Sequence, residues 1–123
     1  MDLPFDTILA ARDAIRARKL SVVDLTQAAL DAIEHRDPDI GAFNSVFPER
    51  ALSQAREFDS GQRSGLLGGV PVAIKDNLCT RFGKTTCSSK MLADFHSPYD
   101  ATVVRKLEEV RSINALTALF KSN

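Results

Sequence analysis

The stretch Gly68-Gly69-Val70-Pro71-Val72-Ala73-Ile74-Lys75-Asp76-Asn77 decides how this chain is interpreted. From Leu66 to Ile74 the sequence is almost wholly apolar, and polar residues follow directly. A short continuous apolar run of this kind favours a strand buried on both faces of a sheet. Pro71 is tolerable near the start of such a strand. The stretch therefore predicts a buried strand with a lysine at its carboxyl end.

Lys75 is the candidate catalytic residue. Open α/β sheets place their sites at the carboxyl ends of strands. A wall formed by residues 72–74 would remove water from the amine and disfavour its charged form, and a neutral lysine can act as a general base toward a serine hydroxyl. Asp76 and Asn77 would supply acceptors that fix its position. The alternative is a lysine that only extends into solvent and pairs with a nearby acid.

Two helices are predicted before this stretch. Apolar residues at near-helical spacing from Phe5 onward indicate a first helix that runs through Arg18, with Asp6 as its N-cap. Ser21 begins a second helix, which we expect to end near Arg36 because Pro38 disfavours the helical conformation in the residue before it. The two helices form an αα-hairpin. Its apolar stripe either packs against the rest of the domain or docks a partner.

Further elements are predicted on both sides of the stretch at 68–77. The sequence predicts a short strand at 41–47, a helix at 49–58, a short helix around 88–92 and a last helix from Ala101. The apolar stripe of that last helix shifts after Val110, so we expect the tail to be discontinuous with what precedes it. These elements indicate an α/β fold.

Composition excludes several functional classes. The 123 residues carry 16 Lys+Arg and 16 Asp+Glu, so no overall positive field favours nucleic acid. No apolar run approaches the roughly 18–20 residues that cross a bilayer, and the acidic start does not resemble a signal peptide. We therefore expect a cytoplasmic chain. The two cysteines, Cys79 and Cys87, are expected to be free thiols, and their spacing does not match a zinc site.

Two other patterns resemble known kinds of functional site, but the residues around them do not fit those sites. Gly83-Lys84-Thr85 resembles the end of a phosphate-binding loop, but the required earlier glycine is replaced by Leu78, and no strand leads directly into the loop. Cys87, His96 and Asp100 could form a thiol nucleophile with its base, but no motif ties them together. We reject both sites.

The residues around Lys75 resemble the lysine motif of the amidase signature family. The resemblance extends through Thr85-Thr86-Cys87-Ser88-Ser89-Lys90-Met91-Leu92 and then through 98–104. These stretches are most similar to the family branch formed by the A subunits of glutamyl-tRNA(Gln) amidotransferases. The resemblance covers about residues 5–110.

The resemblance implies a function. Members of the family hydrolyse amides with a Ser–cis-Ser–Lys triad, in which Lys75 would be the general base, and an oxyanion loop supplies much of the rate. In the amidotransferase branch, ammonia is taken from glutamine. A partner, the B subunit, uses ATP and Mg to activate Glu-tRNA(Gln), and a small C subunit braces the pair. No cofactor or metal is expected in this chain itself.

The resemblance weakens after Glu109. The family continues there with a small-residue turn, a strand, and a Gly/Ser-rich segment that holds both serines; Ser88 and Ser89 match the family at other positions. We therefore expect residues 1–110 to be the amino-terminal part of an amidase signature domain, and 111–123 to be a divergent helical tail. The expected architecture is a helical hairpin, a helix, and one or two strands of an incomplete sheet.

This chain would keep only Lys75 of the triad and would be inactive alone. Three alternatives remain open. The chain could be a fragment of a general amidase, a non-catalytic module that docks to partner subunits, or a small enzyme that uses Lys75 through a Schiff base.

Overall fold

A computed structural model describes residues 6–62 and 64–110, together with the path of the main chain at 113–117. The chain contains both helices and strands, in agreement with an α/β fold. The elements in chain order are α1 (Ile8–Arg16), α2 (Val22–Ile40), β1 (Ser45–Val46), α3 (Pro48–Asp59), β2 (Pro71–Ala73), a 3₁₀ turn (Lys90–Leu92), α4 (Thr102–Glu109) and β3 (Ile113–Thr117).

Helix α1 is bounded differently from the prediction. Thr7, not Asp6, is the N-cap, and its hydroxyl accepts from a first-turn main-chain N–H at 3.1 Å. Asp6 lies one residue too early, because the capping oxygen must reach the N–H two or three residues into the helix. The helix ends at Arg16 rather than Arg18, since Arg18 adopts a left-handed φ of 57° that cannot continue a right-handed helix. Phe5 lies outside the described residues.

Two separate caps fix the start of α2. The hydroxyl of Ser21 accepts from the main-chain N–H of Asp24 at 3.0 Å, so the predicted start is confirmed. The carboxylate of Asp59, at the end of α3, accepts from the main-chain N–H groups of Val22 and Val23 at 2.9 and 3.0 Å. A carboxylate at a helix N-terminus satisfies unpaired donors and interacts favourably with the helix dipole.

The prediction that α2 ends near Arg36 is wrong. The helix continues through Pro38, which lies within its last turn. The C-terminus of the helix is stabilised instead by hydrogen bonds to Asp37. Gly41 takes the left-handed conformation and donates to the main-chain oxygen of Asp37 at 2.7 Å, while the Asp37 carboxylate accepts from the N–H of Ala42 at 2.6 Å. A glycine C-cap and a side-chain acceptor thus outweigh the local effect of the proline.

The apolar stripe of α2 packs inside the protein. Val22, Ala29 and Leu30 form one buried cluster with Ala51 and Ala55 of α3, which confirms the packing interpretation of that stripe. A second cluster joins α1 to α2 and to the residue before β2; its buried members are Ala11, Leu25 and Val70.

Part of α1 contradicts the predicted apolar stripe. Ile8 and Leu9 are 53% and 60% exposed, although the spacing placed them on the packed face. Within the described ranges, no helix is both long enough and apolar enough to cross a bilayer.

Within the described residues the sheet has three strands, where one or two were expected, in the order β1-β3-β2. Strand β3 runs antiparallel to β1 and parallel to β2. The helical tail predicted for 111–123 is therefore wrong at Ile113–Thr117; residues 111–112 and 118–123 lie outside the described part. A short apolar run does not distinguish strand from helix, and here the main-chain groups of two neighbouring strands are available for pairing.

Strand β2 is shorter and less buried than predicted. Pro71 and Val72 are half-buried and Ala73 is exposed, whereas the flanking Val70 and Ile74 are buried at 7% and 2% exposure. Burial on both faces needs cover from both sides, and β2 lies at the edge of the described sheet. The bounds of α3, the start of α4 and the position of the 3₁₀ turn are confirmed within about two residues. The strand predicted at 41–47 is shorter than expected, since only Ser45–Val46 pairs with β3.

Candidate active site

Lys75 lies two residues beyond the end of β2, at the carboxyl end of the strand as predicted. Its main-chain oxygen accepts from the N–H of Leu78 at 3.0 Å and closes a turn. The side chain is exposed, however, so the expected burial of the amine is wrong for the described chain. The wall at 72–74 does not cover it, because Ala73 is itself exposed.

Asp76, the next residue, is buried at 2% exposure. One carboxylate oxygen accepts from the main-chain N–H of Thr86 at 2.7 Å, and the other accepts from the hydroxyl of the same residue. The main-chain oxygen of Asp76 accepts from the N–H of Cys87 at 3.3 Å. Asp76 therefore binds the 86–87 segment rather than Lys75, which corrects the expectation that it would orient the lysine; Asn77, the other expected acceptor, is exposed.

The segment held by Asp76 is a tight turn. Cys87 and Ser88 have φ values of 50° and 55°, in the left-handed region that residues other than glycine rarely adopt. The main-chain N–H of Ser89 donates to the oxygen of Thr86 at 2.8 Å, and that of Ser88 donates to the Thr86 hydroxyl at 3.3 Å. Backbone strain of this kind persists where the surrounding structure enforces it, often at functional sites.

An open cleft of about 380 Å³ lies over this turn. Eight of the nine residues that line it are polar or charged, and two of them are lysines. The lining residues are Asn44, Ser45, Asp76, Lys84, Thr86, Ser88, Ser89, Lys90 and Ala93. Lys75 is not among them, so the described chain does not bring the predicted base and the cleft together.

The two ends of the 85–95 loop are joined by main-chain pairing of the kind found between antiparallel strands. Lys84 and His96 form an antiparallel bridge, and the N–H of Thr85 donates to the oxygen of Phe95 at 3.0 Å. The Lys84 ammonium also lies 2.8 Å from the carboxylate of Asp94. Its hydrogen bond and charge, assisted by the charge of His96, hold the pKa of Asp94 below the ordinary value.

The two rejected sites stay rejected. Lys84 lies in the bridge described above instead of between a strand and a helix, so it does not form a phosphate-binding loop. Asp100 accepts from the main-chain N–H of Arg81 at 2.7 Å, and among the described residues no hydrogen bond joins it to Cys87 or His96. Cys79 and Cys87 are both free thiols, as predicted. Nowhere in residues 6–62 and 64–110 do three potential metal-ligating side chains cluster.

Sequence reasoning missed the role of Asp76 and the strain at Cys87 and Ser88. The sequence places an acid three residues beyond the end of β2 and threonines at 80, 85 and 86, but this pattern does not indicate which threonine the acid binds. The left-handed residues had no signal, because neither is glycine, asparagine or aspartate.

Comparison with known proteins identifies the family. Its profile, described as Amidase, matches residues 24–111. Over 111 residues the chain is 45% identical to the A subunit of the glutamyl-tRNA(Gln) amidotransferase of Alkaliphilus metalliredigens, a match that covers 87% of this chain and 23% of the relative. It is 48% identical over 106 residues to the same subunit of Dehalococcoides mccartyi, covering 84% and 22%. The chain thus spans under a quarter of the length of these curated relatives.

Solved structures share the fold. The peptide amidase of Stenotrophomonas maltophilia matches with a TM-score of 0.84 at 26% identity, over 95% of this chain and 26% of that one. The A subunit of the Thermotoga maritima glutamyl-tRNA(Gln) amidotransferase matches with a TM-score of 0.70 at 32% identity, over 96% and 24%. On the family profile, the identities and the shared fold, the chain belongs to the amidase family.

Proposed function

We propose that this chain is the lysine-bearing part of a glutaminase of the tRNA-dependent amidotransferase type, with Lys75 as its general base. The observation that carries the proposal is the position of Lys75 at the carboxyl end of β2, inside a stretch similar to named amidotransferase A subunits. The reaction is hydrolysis of the glutamine side-chain amide. The ammonia that it releases would be used to convert Glu-tRNA(Gln) into Gln-tRNA(Gln).

The proposed chemistry needs groups beyond Lys75. A neutral amine accepts a proton through a bridging serine, a second serine attacks the amide carbonyl, and main-chain N–H groups bind the oxyanion. Ser88 and Ser89 lie in the turn of the polar cleft and do not supply these serines. Because the members of a triad act as a unit, we propose that the chain alone has no glutaminase activity.

The exposure of Lys75 adds a requirement. A general base must be unprotonated, and removal of water favours the uncharged amine. Lys75 is exposed in the described chain, so the proposal requires that other parts of a complete enzyme cover it.

The proposal extends to partners. The names of the relatives describe one subunit of an amidotransferase, and we propose that the B and C subunits of such a complex are the partners here. The B subunit would use ATP and Mg²⁺, and this chain would hold no cofactor. We keep the cytoplasm as the proposed compartment.

The first experiment measures catalysis. The segment of the Dehalococcoides mccartyi subunit that aligns with this chain is replaced by the corresponding residues of this chain, and glutamine-dependent ammonia release is measured. We expect activity within about tenfold of the parent, and Lys75→Ala is expected to lower kcat by about 10³-fold or more, as for other members of catalytic triads. Lys106→Ala, a matched change of an exposed lysine on α4, is the control.

Two outcomes would contradict the proposal. One is a chimera that folds, as judged by gel filtration and a cooperative melt, but releases no ammonia. The other is a Lys75→Ala chimera that keeps its activity. The unmodified 123-residue chain is assayed beside them, and turnover above background that depends on Lys75 would disprove the proposal that the chain is inactive alone.

A general amidase is the second candidate. The fold match to the peptide amidase has a TM-score of 0.84, against 0.70 for the Thermotoga maritima amidotransferase. Binding of the full chain to purified B and C subunits separates the candidates. We expect binding at micromolar concentrations for an amidotransferase component and none for a general amidase. Binding without activity in the chimera would favour a docking module instead.

A further inference from the structure

The proposed mechanism leaves one buried ionisable group without a role. Asp76 is 2% exposed, and a buried carboxylate is stable only when hydrogen bonds replace the water it has lost. Both of its oxygens are used by one residue, Thr86, through the main-chain N–H at 2.7 Å and through the hydroxyl. Its position in the chain, directly after Lys75, links the strand end to the turn at 86–89.

The turn that Asp76 binds has an unfavourable backbone conformation. Cys87 and Ser88 are consecutive non-glycine residues with φ of 50° and 55°. Asp76 binds the residue before them twice, and its main-chain oxygen accepts from the N–H of Cys87 at 3.3 Å. Within the turn, the other bonds are those that Ser88 and Ser89 donate to Thr86 itself. Thr86 is therefore the anchor of the turn, and Asp76 is what holds Thr86.

This turn forms a wall of the polar cleft. Ser88 and Ser89 both line it, as do Asp76 and Thr86. Loss of the Asp76 contact would let Cys87 and Ser88 relax to right-handed backbone conformations, which would move the Ser88 and Ser89 hydroxyls relative to the strand end that carries Lys75.

We propose that Asp76 is a positioning residue, which holds the 86–89 turn in its left-handed form and so fixes the hydroxyl-bearing wall of the cleft relative to Lys75. Its significance for amide hydrolysis rests on the proposed function. The structural part of the proposal, that Asp76 enforces the turn, is independent of it.

The structural part is tested in the full 123-residue chain by amide hydrogen exchange. Asp76→Asn removes the charge and one acceptor with little change in size, and we expect the N–H of Thr86 to exchange at least tenfold faster. Asp31→Asn is the matched control, since Asp31 accepts from Gln27 on α2 at 2.8 Å, remote in sequence from the turn. Unchanged exchange at Thr86 in a folded Asp76→Asn chain overturns the proposal.

Rescue by glycine distinguishes positioning from general stabilisation. If Asp76 enforces a left-handed backbone, Ser88→Gly reduces the need for it, because glycine adopts positive φ without a steric penalty. We expect Asp76→Asn/Ser88→Gly to recover most of the lost exchange protection at Ser89. No recovery, with both variants folded, overturns the proposal. Should Asp76→Asn fail to fold, Thr86→Val removes the hydroxyl, and with it both the bond to Asp76 and the bond accepted from Ser88. Exchange is then measured at the N–H of Ser89, which donates to the main-chain oxygen of Thr86. We expect it to accelerate in Thr86→Val and not in Thr86→Ser, and unchanged exchange in a folded Thr86→Val chain overturns the proposal.

The catalytic part is tested in the chimera described above. We expect Asp76→Asn to lower kcat tenfold or more with KM changed less than threefold, and Ser88→Gly to restore much of that loss, while Asp31→Asn leaves both constants unchanged. An active parent chimera whose kcat is insensitive to Asp76→Asn overturns the catalytic significance of Asp76. An inactive parent chimera disproves the proposed function instead, and the exchange experiment still decides whether Asp76 enforces the turn.

Discussion

Two regions of this molecule are held together by different physical interactions. The helical core, made of α1, α2 and α3, is stabilised mainly by apolar packing, and the alanines Ala51 and Ala55 at its α2–α3 contact are fully buried. The polar segment, residues 76–101, contains one short 3₁₀ turn, and apart from Gly83 all of its buried residues are polar. Those residues are Asp76, Thr80, Thr85 and Ser97. The core is therefore sensitive to changes in volume, and the polar segment to the loss of single hydrogen bonds.

The two regions meet at Phe82. Its ring lies edge-on to that of Phe47, with centroids 5.5 Å apart, and the guanidinium of Arg50 lies 4.1 Å above it. A Cβ on Gly83 would come within 2.5 Å of the Phe47 ring. The polar segment is thus attached to the helical core by aromatic and cation–π contacts at the start of α3.

The largest effect is expected from Gly69→Ala, which tests packing in the helical core. A Cβ there would lie 2.8 Å from both methyl groups of Val22, whereas at Gly61 it would meet nothing within 4 Å. Both glycines have similar positive φ, 85° and 81°, so the strain of the backbone is matched. We expect Gly69→Ala to lower the free energy of unfolding by about 1–3 kcal/mol more than Gly61→Ala, measured by urea denaturation. Equal losses would show that Val22 shifts to accommodate the added methyl group without a loss in the free energy of unfolding.

A smaller loss is expected from Asp59→Ala, which removes the cap that joins α3 to α2. Two main-chain donors, those of Val22 and Val23, would lose their acceptor. We expect a loss of about 1–2 kcal/mol in the free energy of unfolding. Asp59→Asn, which keeps one acceptor oxygen, should lose less, and Asp6→Ala is the control at an exposed position. A loss at Asp59 no larger than that at Asp6 would contradict a capping role.

Two changes in the polar segment are expected to affect the stability of the fold differently. The Thr85 hydroxyl accepts from the main-chain N–H of Thr80 at 3.3 Å, so Thr85→Val leaves a buried donor unpaired and should cost about 1 kcal/mol. The Thr80 hydroxyl is buried with no partner among the described residues, so Thr80→Val should leave stability unchanged or raise it. Thermal melts of the two variants check this, and a loss at Thr80 as large as that at Thr85 would refute it.

The smallest effect concerns pH. Lys84 lowers the pKa of Asp94 through a hydrogen bond and its charge. Because the folded value lies below that of the unfolded chain, the contact stabilises the fold above the ordinary aspartate value of 3.8 and is lost as the pH falls through the folded value. Lys84→Met should raise the titration midpoint of the Asp94 carboxyl carbon, followed by NMR. An unchanged midpoint would show that the ion pair does not form in solution.

Local sequence signals predicted the elements that depend on local physics. Ser21 begins α2 because its hydroxyl reaches a donor three residues away, and Pro48 begins α3 because proline fits a first helical turn. The site was predicted less completely. The placement of Lys75 after a strand follows from the apolar run before it, whereas its exposure and the Asp76–Thr86 contact depend on what packs nearby.

By itself, the sequence determined where most helices begin, that a strand ends just before Lys75, and which family the motif around it resembles, because caps, periodicity and short motifs act over a few residues. Tertiary structure alone decided that Ile113–Thr117 pairs between β1 and β2, and that Asp76 binds Thr86. Each of these outcomes depends on hydrogen-bond partners or burial supplied once the chain has folded, and no local window of sequence contains that information.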